Sequence, residues 1–391
     1  MRILQAHTRY RQAGGEDAVV AAEAGLLRSG GHEVAQFEAQ NPAGAVAAAG
    51  AMATAAWNPT AARRMADRIT EFGPEVVHVH NTWFAMSPSV IEATRRQGVP
   101  VVLTLHNYRL MCGNGLLFRD GRPCTDCVGS HPWHGVVHRC YRGSAPASAV
   151  AATSIALHRS RGTWRRGVSA YIAMTEAARP LFVAAGLPSD RIVVKPHFVA
   201  DPGPRRRTPS ASRTVLYVGR LEVGKGIEVL LRAWRRLGDC NLELLVIGEG
   251  PLRDVAQRVA PPGVRFTGWL PSEQLRDHLL TARALAFPSE WYEPFGLTVV
   301  EAMAAGLAIT ASRIGGVEEL LGPSADAQLV PPGDAEALAT ALAALRDDAE
   351  TDRVGGLMRH RYRERFTPAA NLPLLESIYA SVQSGAGLDA R

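Results

Sequence analysis

The sequence predicts an α/β protein built as two successive halves, each with a parallel sheet covered by helices on both faces. Three observations predict it. Short apolar runs recur between helix-like segments, the series restarts in mid-chain, and a proline-rich, charged stretch separates the two series. Strands that alternate with helices join as parallel βαβ units, because a parallel connection needs a crossover about as long as a helix. The runs fall at residues 2–6, 33–37, 76–80, 99–105 and 171–174, then at 214–218, 242–247, 264–267, 284–287 and 308–310. Residues 201–212 hold three prolines and three consecutive arginines without apolar periodicity, the composition of a linker. The expected organisation is a Rossmann-like domain over 1–200 with a cysteine-bearing insertion at about 107–142 and the linker 201–212. A second Rossmann-like domain over 213–366 and a final helix and tail over 367–391 follow.

Composition narrows the function. The chain has 391 residues, 47% of them hydrophobic, which is enough to bury two cores. Mean hydropathy is −0.04, and no run approaches the roughly 18 apolar residues of a membrane span. The start turns polar too early for a signal peptide, so the expected compartment is the cytoplasm. The alanine-rich stretch 43–56 reads as a helix or a loose excursion. A net charge of +6 and a pI near 9.3 suit nucleotides, nucleic acid or the anionic inner face of a membrane. Nucleic acid is disfavoured, since no helix-turn-helix, zinc-finger or RNA-recognition signature occurs and aromatics are only 6%. Peripheral membrane contact stays open.

The loops after the strands repeat one grammar. Gly14 and Gly15 follow the first strand and lead through Glu16 and Asp17 into an apolar helix, a turn that suits an anion or substrate, or a plain flexible loop. The strand at 215–218 runs into Gly219, Arg220, Gly224, Lys225 and Gly226, then a helix-like run to 237. Two cations at the carboxyl end of a strand can neutralise a diphosphate without a metal. The spacing is not that of a Walker A loop. Residues 242–247 end in Gly248, Glu249, Gly250 and Pro251.

Richest is the stretch from Glu293 to Gly306, which sets two carboxylates, Glu293 and Glu301, across a loop punctuated by Pro294 and Gly296 and a helix expected over 297–305. A helix starting at Gly296 aims unpaired N–H groups and its positive dipole end at whatever precedes it, a place for a phosphate. Glu301 shares a face with Thr298 and can reach back toward a ligand, while Glu293 can hold a second part of it. Glutamates at such a place also serve simply as good capping.

Gly14-Gly15-Glu16, Leu103-Thr104-Leu105-His106, Gly219-Arg220 with Gly224-Lys225-Gly226, Gly248-Glu249-Gly250-Pro251, and Glu293 with Glu301 together span roughly residues 1–320. In kind and order they resemble the GT4 group of GT-B-fold glycosyltransferases, retaining enzymes that use nucleotide sugars. The resemblance implies two Rossmann-like domains facing across a cleft, with the donor bound mainly by the second and the acceptor by the first. It also implies a C-terminal helix crossing back to brace the first domain, with residues 372–379 placed to do so. Arg220 and Lys225 would hold the donor diphosphate and stabilise the leaving nucleoside diphosphate. Glu301 would accept hydrogen bonds from the ribose hydroxyls and Glu293 would face the transferred sugar. N–H groups around Phe295, Gly296, Leu297 and Thr298 would meet sugar or phosphate. Gly14 and Gly15 would let the first loop close over the diphosphate, beside the glycine turns at Gly219 and Gly248. His106 would partner a sugar hydroxyl; Asn107 follows it where many members have an acid.

The implied function is retaining transfer of a sugar from a nucleoside-diphosphate sugar to a hydroxyl acceptor, whether glycan, lipid-linked or small molecule, without a catalytic metal. A nucleotide-sugar epimerase and a non-catalytic sugar-nucleotide-binding protein are the competing readings.

The cysteines are a separate matter. Cys112, Cys124, Cys127 and Cys140 lie in one window, while Cys240 sits in an apolar strand context that reads as core. Cys124 and Cys127 have the spacing of half a zinc knuckle, and the cytosol disfavours disulfides, so a structural thiolate-bound Zn2+ is expected. His131, His134 or His138 could replace one thiolate, and unligated thiols are the competing reading. Trp291 and Tyr292 could stack on a sugar or pack, Trp133 reads as packing, residues 335–382 read as helical, and the tail beyond Ser384 reads as disordered.

Overall fold

Strands buried on both faces need apolar side chains at nearly every position, and the run at 284–287 meets that demand. In the computed structural model, whose described residues are 1–10, 14–238 and 241–385, the chain divides into two units. The first comprises Met1–Leu117, Cys124–Pro196 and Asn371–Arg391, the second Phe118–Pro123 and His197–Ala370.

The first unit holds strands β1 (Arg2–Arg9), β2 (Glu33–Gln40), β3 (Val76–Asn81) and β4 (Val101–Thr104); the two-stranded hairpin β5 (Phe118–Arg119) and β6 (Arg122–Pro123) then intervenes, followed by β7 (Ala170–Ala173) and β8 (Ile192–Val194). Its sheet runs β2-β1-β3-β4-β7-β8, with every pairing parallel. The order of the strands therefore reverses between β1 and β3, where successive connections leave on opposite sides and open a crevice at the strand ends.

The second unit holds β9 (Thr214–Val218), β10 (Glu243–Ile247), β11 (Val264–Gly268), β12 (Ala284–Phe287), β13 (Ala308–Ser312) and β14 (Leu329–Val330). The order is β11-β10-β9-β12-β13-β14, again all parallel, so its switch point lies between β9 and β12. The hairpin β5–β6 clusters with this unit: the ring of Phe118 stands 3.1 Å from where a Cβ of Gly224 would be.

Each sheet gains an edge strand, β8 and β14, too short and too weakly patterned to read from sequence. The helical stretch 335–382 resolves into three helices, Ala335–Ala344, Asp348–Arg365 and Pro368–Ser384. The side chains of Asp334 and Asp347 cap the first two. The alanine-rich stretch forms the helix Ala45–Ala53. The last helix inserts Leu375, Ile378 and Tyr379 into a core with Ile3 of β1, Val76 of β3, Val102 of β4 and Ile172 of β7. The C-terminus thereby completes the first unit, as the resemblance implies. Residues 201–212 are tied to the second unit: Asp201 pairs with Arg359 at 2.7 Å, and Arg205 donates to the carbonyls of Leu279, Ala282 and Ala305. One guanidinium thus satisfies carbonyls at two helix C-termini, a use that linker-like composition conceals. Cys240 and the tail beyond residue 385 lie outside the described residues.

Candidate active site

In the second unit the chemistry gathers at the carboxyl ends of β9 and β12. The loop after β9 brings Lys225, and the loop after β12 brings Glu293; Lys225 Nζ donates to Glu293 Oε2 at 2.9 Å. Glu293 is only 8% exposed, and Ser289 Oγ donates to the same oxygen at 3.3 Å. Nζ also sits 4.5 Å from the centre of the Trp291 ring, a cation–π contact that fixes the ammonium. Trp291 is thus buried packing. Two loops far apart in sequence meet here because β9 and β12 are neighbours. The Glu293 carbonyl accepts from Gly316 N–H in the loop after β13 at 2.9 Å, which ties the next loop in.

The glycine turns let these backbones touch. Gly226 has φ of +76°, and a Cβ there would lie 1.8 Å from the carbonyl oxygen of Pro288. Gly248 has φ of +144°, and its Cβ would fall 1.9 Å from the carbonyl oxygen of Gly219. Both positions exclude any side chain. Gly219 and Gly248 therefore bring the loops after β9 and β10 together, a packing task that stands beside any contact with a donor.

Gly296 adopts φ of +97° and starts the helix Leu297–Ala304, so Leu297 and Thr298 occupy its first turn with unpaired N–H groups. The Phe295 ring is buried between His197 and Phe366, which leaves its backbone as the part able to meet a ligand. Glu301 lies one turn further on. Burial pushes its carboxyl up to about 7, and among the described residues no side-chain partner engages it. Arg220 is exposed and pairs with Glu222 at 2.9 Å, a surface pair that a ligand could displace at small cost.

In the first unit a pocket is lined by His80, Asn81, Trp83, His106, Asn107 and Arg109, among others. His106 follows β4, and its Nε2 lies 3.0 Å from Nδ1 of His80. Arg109 donates to the carbonyls of Gly113 and Asn114 and faces the Trp83 and Tyr141 rings at 5.3 and 5.4 Å. Gly14 and Gly15 open the helix Gly15–Ser29, with Gly14 N–H donating to Asp17 Oδ2 at 2.9 Å. Glu16 accepts from Tyr10 Oη at 2.8 Å, and burial pushes its carboxyl up to about 8. Sequence reasoning missed His80, Trp83 and Arg109 as lining of this pocket. One signal was present: His78 and His80 interrupt a wholly buried strand at a two-residue spacing, which puts both on one face.

The four cysteines of the insertion are free thiols, with Cys112 and Cys127 buried. Cys112 Sγ donates to Asn114 Oδ1 at 2.9 Å. Burial, then the thiols of Cys112, Cys140 and Cys124 nearby, push the Cys127 thiol up to about 11. Among the described residues the ligand atoms found within 4.8 Å of one another belong instead to Glu23, His78 and His80. Trp133, read as packing, is 45% exposed, and Val137 four residues on is 77% exposed. No helix among the described residues is long and apolar enough to cross a membrane.

Comparison with known proteins agrees with this arrangement. The family model for the glycosyl transferase 4-like domain matches residues 8–197, and that for glycosyl transferases group 1 matches residues 212–348. A sulfoquinovosyl transferase of Arabidopsis thaliana is 31% identical over 157 residues, 39% of this chain and 30% of that protein. A phosphatidyl-myo-inositol mannosyltransferase of Mycolicibacterium smegmatis is 33% identical over 191 residues, 46% of this chain and 48% of that protein. These matches therefore span half or less of the relatives' length. Sucrose-phosphate synthase from Thermosynechococcus elongatus superposes with a TM-score of 0.73 at 18% identity, covering 98% of this chain and 100% of that one. Anabaena HepE, solved with UDP-glucose, gives 0.68 at 16% identity, covering 97% and 100%. With both halves matched in order on two parallel six-stranded sheets, the chain belongs to the group 1 glycosyltransferases of the GT4, GT-B type.

Proposed function

We propose that the chain is a retaining glycosyltransferase that moves a sugar from a nucleoside-diphosphate sugar to a hydroxyl acceptor. The observation that carries this is the switch point of the second unit: a cation, Lys225, a buried carboxylate, Glu293, and a helix start at Gly296 stand together, with Glu301, which no side chain among the described residues engages, one turn beyond. Breaking the bond between the anomeric carbon and the diphosphate builds negative charge on the leaving group and positive charge on the sugar. Lys225, Arg220 and the helix N–H groups stabilise the former without reorganisation. Glu301 accepts from the ribose hydroxyls, and Glu293 orients the sugar and stabilises its charge. Attack comes from the face the diphosphate leaves, and a leaving phosphate oxygen takes the acceptor proton, so no enzyme nucleophile is needed. The two cations and the helix dipole balance the diphosphate in place of a catalytic metal. His106 in the first-unit pocket partners a hydroxyl. The expected compartment is the cytoplasm, with peripheral contact at an anionic membrane face supported by the +6 net charge.

A thermal-shift screen of nucleoside diphosphates and their sugars, followed by transfer assays with NMR of the anomeric configuration, tests this reading. A stabilising donor, net retention and activity that survives EDTA are expected. No response to any nucleotide sugar sinks the assignment, and isomerised donor without transfer points to an epimerase.

The insertion's thiols are proposed as a structural Zn2+ site. The reading rests on the spacing of Cys124 and Cys127 with Cys112 and Cys140 in the same insertion, and binding would draw the four together as thiolates. About one zinc per purified chain supports the site, and less than about 0.2 overturns it.

A further inference from the structure

The pocket of the first unit has two ends of different chemistry. His106, Asn107, Arg109 and Leu110 are half-buried and form its rim. Its inner wall comes from Ile91 on the helix Ser89–Arg96, Leu103 of β4, Ala151 and Ile155 on the helix Ala145–Ser160, and Trp164 on the short helix Thr163–Arg166. None of these five is more than 6% exposed. Ala151 and Ile155 stand four residues apart, so one helix face supplies both. Ser154, between them in sequence, adds a hydroxyl to the wall.

Two lining residues, His80 and Trp164, each carry a buried ring nitrogen without a hydrogen-bond partner. That of His80 faces the buried carboxylate of Glu23 at 3.3 Å. Trp164 has no such neighbour to turn to. The ring beside it is that of His158, 5.7 Å away between centres. Both nitrogens of His158 are already engaged, with Thr163 Oγ1 at 2.9 Å and the Ala56 carbonyl at 2.7 Å. Tyr171 Oη donates to the Trp164 carbonyl and anchors the residue from its backbone. An indole N–H can only donate, and a buried donor left unpaired is unfavourable. The pocket that Trp164 lines is the place from which an acceptor atom can reach it.

A free sugar suits this wall poorly. Each of its hydroxyls needs a partner once it leaves water, and the hydrocarbon side chains of Ile91, Leu103, Ala151 and Ile155 offer none. An apolar body covers hydrocarbon with hydrocarbon, and one oxygen on it meets the indole donor.

We propose that this pocket binds the acceptor by a compact apolar body, aromatic or branched aliphatic, which carries one oxygen for the Trp164 indole N–H and leaves its hydroxyl at the rim beside His106. The substrate class is alcohols on apolar skeletons, in preference to free sugars. That the hydroxyl is glycosylated rests on the function proposed above; the occupancy of the pocket does not.

1H–15N correlation spectra of the full chain labelled with 15N-tryptophan test this. The Trp164 indole signal is assigned by its loss in Trp164→Phe, or by its Overhauser contacts to the His158 ring if that variant fails to fold. Titration with para-methoxyphenethyl alcohol or methoxycitronellol should shift the signal saturably, whereas glucose and methyl glucoside should leave it in place. Equal shifts with the sugars, or none with either alcohol, overturn the proposal. By calorimetry para-methoxyphenethyl alcohol should bind about fivefold tighter than para-ethylphenethyl alcohol, which lacks the ether oxygen, and Trp164→Phe should bind the two alike. An undiminished preference in that variant also overturns the proposal. Because the spectra need no donor, an alcohol that binds but receives no sugar from any nucleotide sugar counts against the proposed reaction and leaves the pocket's occupant standing. Transfer to glucose in preference to both alcohols overturns the substrate class.

Discussion

Glu301 should destabilise the fold at the pH where it works. Burial raises its carboxyl from an ordinary 4.5 to about 7, so the folded chain prefers the protonated form. For a carboxyl shifted upward, stability is greatest below about 4.5, falls as pH rises to about 7, and is level beyond. At about 1.4 kcal/mol for each pH unit between 4.5 and about 7, the full loss is about 3.5 kcal/mol, most of it reached by pH 8. Glu301→Gln keeps the shape and never ionises. In urea melts followed by tryptophan fluorescence it should gain about 3 kcal/mol over wild type at pH 8 and lose most of that advantage at pH 5. Donor affinity should move the other way. A nucleoside-diphosphate sugar has no phosphate that titrates between pH 5 and 8, so any pH dependence belongs to the protein. At pH 6 about a tenth of the carboxyls are ionised, and wild-type affinity by calorimetry should be about tenfold weaker than at pH 8. The glutamine variant should bind weakly at both. Equal stability of the two proteins at pH 8, or wild-type affinity that is flat with pH, would refute this reasoning. A gain in stability joined to a loss of binding is the trade expected of a functional group held in an unfavourable place.

Other outcomes follow from the same geometry. Lys225→Ala should lower transfer about 10²- to 10³-fold in steady-state assays, because it removes a charge aimed at the leaving group, and Arg220→Ala should act in the same direction; unchanged turnover in both excludes the diphosphate role. Leu375→Ala, at a fully buried position of the final helix, should cost about 2–5 kcal/mol in denaturant melts of the first unit. Gly226→Ala should prevent correct folding of the second unit, since its Cβ would meet the Pro288 carbonyl oxygen at 1.8 Å; a soluble variant with native circular dichroism and nucleotide binding would contradict the placement of that loop.

The legible parts of the fold were those with a local cause. A buried strand must be apolar along its length, and a sharp turn after it needs glycine, so the ten longer strands and their glycine loops could be read directly. Edge strands β8 and β14 have three and two residues, too few for a period to show. Residues 201–212 looked like a linker because their contacts run to carbonyls some seventy-four to one hundred positions away, and sequence says nothing about such partners. At the candidate site, Lys225, Glu293 and Glu301 were legible as residue types on particular loops. The pairing of the first two was not, because it depends on β9 lying beside β12. Trp291 was ambiguous until the Lys225 ammonium over its ring decided for packing.

By itself, then, the sequence determined the two-sheet architecture and the donor-side loops, because hydrophobic periodicity and glycine turns act within a few residues of themselves. Tertiary structure alone decided which loops share a switch point, which residues of the last helix enter the first unit's core, and that Glu23, His78 and His80 meet in one buried cluster. Those relations come from strand order and from helices returning over long stretches of chain. They fix distances between charges, and distance decides whether a carboxylate is a cap, a ligand group or the partner of a buried cation.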